Sequence, residues 1–267
     1  MPEGIEVEYY RRAAEAVVGR VIENLWVVDD AYVRASTARG LAEVVRGGAV
    51  AAVRRRGKLL VLDVVCSGPG QDCGSVSVGF RFGMTGRLVV DGSAPIDRLL
   101  YSAANDQPAH RRVEVSFVEG GSMEVLDPRR LGAVELEPDE GALGPDAYSL
   151  SGPELSAALG RGSGPLKSRL LDQARVAGIG NLICDEVLFR AGVSPVRPAG
   201  ELEPNEVIDL AAVVRDTFAD LDARGGAHTG DLQAERQRGG VCPLDGGVLM
   251  RASVGGRTTY WCPVHQR

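Results

Sequence analysis

The spacing of apolar residues changes once along the chain, and that change does most to limit what the chain can fold into. Between 21 and about 136 the apolar residues come in short runs, VIENLWVV, KLLVLDVV, SVSVGFRF, VEVSFV and AVELE, separated by Gly, Pro and Asp. Such runs read as strands. The stretch 137–165 is rich in Gly, Pro, Asp and Ser and suits a linker. Within it Ser151 and Glu154 form a capping box, with Pro153 in the first turn of a short helix. Helical spacing follows over 165–176, 181–191 and 204–223, the last placing Val207, Ala211, Val214, Phe218 and Leu221 on one face. Residues 3–18 also read as a helix, stopped by Gly19. After Ala223 the chain turns Gly- and Arg-rich and ends in a cysteine-bearing hairpin. The spacing therefore predicts an α+β multidomain protein: a β-rich domain over 1–137, a helical domain over 138–225 and a finger over 226–267.

With 267 residues there is ample material for a buried core. No apolar run approaches the roughly 20 residues of a membrane-spanning helix, so no membrane partner is expected. The opening MPEGIEVEYYRR lacks the apolar stretch of a secretory signal. Five cysteines, Cys66, Cys73, Cys184, Cys242 and Cys262, are too scattered for a disulfide framework, which predicts a reducing cytoplasm. The segment CSGPGQDCGS at 66–75 reads as a hairpin loop, and a Cys66–Cys73 disulfide is not expected there.

The net charge of −6 argues against a broadly basic, phosphate-binding body, although a local patch can still be basic. Residues 224–267 carry six Arg against three acids. Of the 30 basic residues only two are lysines, Lys58 and Lys167. Arginine offers a rigid fork and lysine a compact point charge, so a lysine kept in so Arg-biased a chain is either incidental or needed as an ammonium.

Six segments could carry chemistry. Removal of Met1 would expose Pro2 as a secondary amine, a nucleophile able to form an iminium at an aldehyde-level carbon, with Glu3 and Glu6 beside it for acid–base work. The same residues also read as an ordinary acidic helix start. RRRGKLLVLD sets Lys58 at the head of a strand, where a solvated turn would serve as well. In GFRFGMTGRL, Met84 sits on a tight turn as a wedge between bases or as a core residue folded back. DPRRLG puts Arg130 and Leu131 on a surface turn, from which an Arg can reach a base edge. In LLDQARVAGIGNLICDEVLF, the Gly178–Gly180 turn precedes a helix near Asn181 whose free N–H groups can hold a phosphate. Finally Cys242-x2-Asp245-x16-Cys262-x2-His265 has the spacing of a four-ligand zinc ribbon, with Asp in a position that usually holds Cys or His.

The order of these motifs resembles the formamidopyrimidine-DNA glycosylase and endonuclease VIII family, base-excision enzymes that attack oxidised bases. MPEG-I-EVE, RRGKLL, FGMTG, DPRRLG, K-x2-LLDQ-x2-VAGIGN-x3-DE-x-LF and GRTTYWCP-x2-Q span nearly the whole chain. The resemblance implies an N-terminal helix with an antiparallel β-sandwich, a helix-two-turns-helix domain and a β-hairpin zinc-finger-like module. It implies Pro2 as nucleophile, Glu3 as the acid assisting ring opening, and Glu6 in support. Lys58, Asn181 and Arg257 would grip phosphates, and Met84, Arg130 and Leu131 would fill the gap left by a flipped base. Lys167 and Glu186 match motif positions in the helical domain, and Glu6 and Lys167 are counted with the DNA-binding residues. One structural zinc on Cys242, Asp245, Cys262 and His265, damaged double-stranded DNA as partner and a monomer complete the expectation.

Ile5 departs from the usual Pro and Arg81 from the usual His, and Leu131 stands where the guanine-directed branch has Phe. Only 15 residues separate Gly226 from Cys242, short for that branch's lesion-capping loop. These departures, with MPEG and YWCP, lean the expectation toward endonuclease VIII and oxidised pyrimidines. The alternatives are an oxidised-purine glycosylase of the same family and a non-catalytic damaged-DNA-binding protein.

Overall fold

The computed structural model describes residues 2–66, 74–96, 99 and 107–267. They form two compact units, Pro2 with Glu6–Glu140, and Glu3–Ile5 with Gly141–Arg267.

The first unit begins with most of α1 (Gly4–Ala14) and continues through β1 (Ile22–Val27), β2 (Val33–Arg34), α2 (Ala38–Val45), β3 (Ala49–Arg56), β4 (Leu59–Val65), β5 (Ser75–Arg81), β6 (Arg87–Val90), β7 (Arg111–Phe117), β8 (Ser122–Leu126) and β9 (Ala133–Leu136). Two sheets result, ordered β1-β7-β8-β6 and β2-β9-β5-β4-β3, antiparallel except for the short β2–β9 pair. Alternate side chains turn inward from each: Val113, Val115 and Phe117 from β7, and Leu60, Leu62 and Val64 from β4, join one buried core with Tyr10 and Ala14 of α1. That is the sandwich the resemblance implies. Helix α2 was not expected among the strands. Thr37 starts it by accepting from the Gly40 N–H at 3.0 Å, and Leu41 and Val45 bury its inner face. The β4–β5 hairpin closes with the Cys66 N–H on the Gly74 carbonyl at 3.1 Å. The buried Cys66 thiol donates to the Val44 carbonyl at 3.3 Å, and Cys73 lies outside the described residues.

The second unit holds α3 (Gly152–Leu159), α4 (Leu166–Leu171), α5 (Asn181–Arg190), α6 (Pro204–Arg224) and the antiparallel hairpin of β10 (Met250–Val254) and β11 (Arg257–Trp261). The Ser151–Glu154 capping box forms as its spacing predicts. Helix α4 ends at Leu171 rather than near 176, because Gln173 replaces helical bonding. Its side-chain amide donates to the carbonyls of Leu171 and Ile179, both at 2.9 Å, and its oxygen accepts from the Gly178 N–H at 3.1 Å. The finger packs on α5 through Phe189, Leu232, Cys242, Leu249 and Cys262. No described helix is long and apolar enough to cross a membrane.

Candidate functional site

The candidate residues divide between the two units. In the first, Lys58 follows Gly57, whose φ of +58° makes the β3–β4 turn and whose carbonyl accepts from Arg55 Nη1 at 2.9 Å. Leu59 pairs with Arg81, so Lys58 lies at the end of the ladder from which the Gly83–Gly86 turn leaves. Met84, at the tip of that turn, is 37% exposed, and Leu131 is 47% exposed. The two turns meet: Arg129 Nη1 lies 3.7 Å from the Met84 sulfur. Arg130 adopts a left-handed φ of +53°, and its guanidinium pairs with Asp29 at 2.5 Å. That guanidinium, aided by the backbone N–H groups of Ala31 and Tyr32, holds the Asp29 carboxyl below the usual range. Arg81 turns to the buried Glu135 at 2.6 Å, which also takes Arg34 at 2.9 Å.

Pro2 is buried and peptide-bonded to Glu3. Glu3 itself is fully buried in the second unit, and its carboxylate accepts from the N–H groups of Leu182 at 2.9 Å and Ile183 at 3.1 Å. These are donors that α5 leaves without intrahelical partners. The expectation that they wait for a phosphate is thereby corrected, since the Glu3 carboxylate already occupies them. The turn is built around that contact. A Cβ on Gly180 would fall on the Glu3 carboxyl, and Gly178, at φ +106°, accepts from the Gly4 N–H at 2.9 Å. Gly178 and Gly180 thus serve to seat a carboxylate between the first residues of the chain and a helix start.

Asn181, the next residue, donates through Nδ2 to the Thr258 carbonyl at 3.1 Å, while its Oδ1 is buried without a hydrogen-bond partner. This bond sets Asn181 beside Arg257, which is exposed at the head of β11. The two expected phosphate contacts of this unit are therefore neighbours.

Lys167 and Glu6 sit differently from the expectation of DNA contact. Lys167 has no exposed side-chain surface. Its ammonium donates to Asp185 at 2.5 Å and to Thr259 at 2.8 Å, joining α4, α5 and β11. Asp185 also takes Arg236 and the Tyr260 N–H at 3.3 Å. A charge so enclosed positions the hairpin and cannot reach a phosphate. Glu6 is only 6% exposed in α1, which leaves it a supporting place. Glu186 likewise holds the backbone N–H groups of Asp231 and Leu232, at 2.9 and 3.0 Å.

The finger brings Cys242, Asp245, Cys262 and His265 together, with one ligand atom from each lying within 4.8 Å of the others. Cys242 Sγ is 3.4 Å from His265 Nδ1, and Cys262 Sγ is 3.2 Å from Asp245 Oδ2. A tetrahedral zinc with bonds of about 2.0–2.3 Å separates its ligand atoms by about 3.3–3.8 Å. His265 Nε2 lies 3.1 Å from the Phe189 carbonyl, an arrangement that directs Nδ1 to the cluster. Hydrogen bonds from the Gly247 N–H and the Cys262 thiol hold the Asp245 carboxyl below the usual range, while burial pushes the Cys262 thiol up. The donor set fits a metal.

Residues 1–134 match the formamidopyrimidine-DNA glycosylase N-terminal domain, and residues 143–229 match the formamidopyrimidine-DNA glycosylase H2TH domain. The chain belongs to the formamidopyrimidine-DNA glycosylase family. Formamidopyrimidine-DNA glycosylases of Cereibacter sphaeroides and Stenotrophomonas maltophilia are 33% and 31% identical to it, each alignment covering 100% of both chains. A Lactococcus lactis Fpg in complex with abasic-site DNA shares the fold at a TM-score of 0.79 and 24% identity, covering 99% of each chain. A mutant of that enzyme with Fapy-dG-containing DNA gives 0.80 and 23%, covering 100% of each. Family members are DNA glycosylases with AP lyase activity that serve base-excision repair. The lean toward endonuclease VIII finds no support in these relatives, which all carry the formamidopyrimidine name. Sequence reasoning missed Asp127, Gln173 and Asp185, although each stands inside a motif it quoted. Gln173, a polar residue just before the Gly178–Gly180 turn, carried the one available signal.

Proposed function

We propose that this chain removes oxidised purines of the formamidopyrimidine type from damaged duplex DNA and then cuts the strand at the resulting site. The observation that carries this reading is full-length similarity to formamidopyrimidine-DNA glycosylases in a chain that seats Glu3 on the first N–H groups of α5. Once Met1 is removed, the Pro2 nitrogen attacks C1′ of the damaged nucleotide. The N–C1′ bond forms, the glycosidic bond breaks, and the base leaves with the bonding pair and takes up a proton. Glu3, held in place by two backbone donors, takes the proton the Pro2 nitrogen loses and delivers it to the sugar ring oxygen as the C1′–O4′ bond breaks, leaving an iminium between Pro2 and C1′. The iminium then acidifies C2′, and successive β- and δ-eliminations expel the flanking phosphates. Lys58, Asn181 and Arg257 grip phosphates, and Met84, Arg130 and Leu131 occupy the space the extruded base leaves.

A zinc held by Cys242, Asp245, Cys262 and His265 would staple the finger that carries Arg257 and would take no part in the chemistry. The pyrimidine preference expected from Leu131 and the short 226–242 stretch gives way here to the purine reading, which the relatives favour. Purified protein is assayed on matched duplexes carrying a formamidopyrimidine or an oxidised pyrimidine. Faster release of the formamidopyrimidine is expected, and a tenfold preference for the pyrimidine overturns the substrate assignment.

A further inference from the structure

The two turns assigned to the duplex hang from one buried carboxylate. Asp127 is fully buried. Its Oδ1 accepts from the Thr85 hydroxyl at 2.5 Å, and its Oδ2 accepts from the Gly132 N–H at 2.8 Å and the Tyr32 hydroxyl at 3.2 Å. Its backbone carbonyl takes Arg112 Nε at 2.8 Å and the Arg130 N–H at 3.3 Å. Thr85 and Tyr32 are 3% and 2% exposed, so both hydroxyls are withdrawn from bulk water. Burial and the nearby Asp127 carboxylate push the Tyr32 phenol above its ordinary value, which keeps it a donor. The turns also touch through their backbones. A Cβ on Gly83, whose φ is +56°, would stand 2.5 Å from the Leu131 carbonyl carbon and 2.8 Å from the Gly132 nitrogen. The left-handed φ of Arg130 is a conformation a non-glycine residue holds only where its surroundings enforce it.

We propose that Asp127, Thr85 and Tyr32 are positioning residues that lock Met84, Arg130 and Leu131 at fixed mutual spacing before DNA arrives. The inference rests on the proposed function. Turns whose backbones are already ordered present the three side chains to the duplex with less loss of conformational freedom, which lowers the cost of unstacking the damaged base. An abasic nucleotide has no base to extrude. The cluster therefore governs base excision far more than cleavage at a preformed abasic site, a separation that general loss of structure would not produce.

The test compares Thr85→Val, which keeps the shape and removes the donor, with Thr85→Ser, which keeps the hydroxyl. Tyr32→Phe removes the second hydroxyl and supplies an independent arm should Thr85→Val fold poorly. Each is assayed on a duplex with a formamidopyrimidine and on one with an abasic site, with 2-aminopurine fluorescence beside the lesion reporting extrusion. Misplaced reacting or binding groups commonly cost on the order of ten- to a hundredfold. Thr85→Val and Tyr32→Phe are expected to lower base excision and the fluorescence step by about tenfold or more, keep abasic-site cleavage within about twofold, and leave Thr85→Ser near wild type. Equal losses on both substrates, or no loss on either, overturn the proposal. Wild-type protein that cuts neither substrate overturns instead the function on which it rests.

Discussion

Replacing Lys167 by Met removes an ammonium from a place with no water. Lys167 and Asp185 both have side chains with no exposed surface, and the ammonium makes bonds of 2.5 Å to Asp185 and 2.8 Å to Thr259. Removing one partner of a buried pair costs about 3–5 kcal/mol, mostly because the other charge is left uncompensated. Here Arg236 and the Tyr260 N–H remain on Asp185, and the Thr259 hydroxyl still donates to the Arg257 carbonyl at 3.0 Å. The expected cost therefore falls at the lower end, about 3 kcal/mol. For a unit of about 130 residues, 1 kcal/mol moves the melting midpoint by about 3–5 °C, so a fall of about 10 °C is expected. Scanning calorimetry without chelator measures it, and the transition should report the unit carrying α4, α5 and the finger. Arginine should not rescue, because its larger fork has no room in a packed site. A fall below about 2 °C would show that the pair contributes little, and the assignment of Lys167 to hairpin positioning would fail.

Three further outcomes are expected. Lys58→Arg should impair strand cleavage although it keeps the charge, because a planar fork must fit where a point charge grips one phosphate; wild-type cleavage would make Lys58 incidental. DNA affinity should fall steeply with salt despite the net charge of −6, and Arg257→Ala should lower the log–log slope by about 1; a flat response would argue against phosphate contacts. Protein purified without chelator should contain about one equivalent of zinc, as two thiols, a carboxylate and an imidazole predict. A content well under about 0.5 equivalents with DNA binding intact would contradict the zinc site.

What the sequence showed depended on range. Helix α6, the Ser151 cap and β4, β5 and β7 are local matters of apolar period and capping chemistry, and their spacing predicts them. Strand β3 escaped because its second half is Arg-rich, and β6 and β8, of four and five residues, are too brief to establish a period. Helix α2, eight residues long, was hidden among strand signals. The motif glycines drew attention to the Gly178–Gly180 turn, but not to what fills it. Only folding brings Glu3 to the N–H groups of Leu182 and Ile183, and with it an anion from this chain where a phosphate was expected. Lys167 was conspicuous as one of two lysines. Its burial was not legible, since Asp185 and Thr259 meet it from other elements and Arg236 joins them only through Asp185.

The central claim is that the amino terminus of Pro2 bonds covalently to the sugar of a damaged nucleotide. Borohydride reduction during reaction with abasic-site DNA, followed by peptide mass spectrometry, tests it directly. A stable protein–DNA adduct on Pro2 is expected, formed only by molecules that have lost Met1. Absence of an adduct in protein shown to lack Met1, or strand cleavage by protein that retains it, would contradict the account.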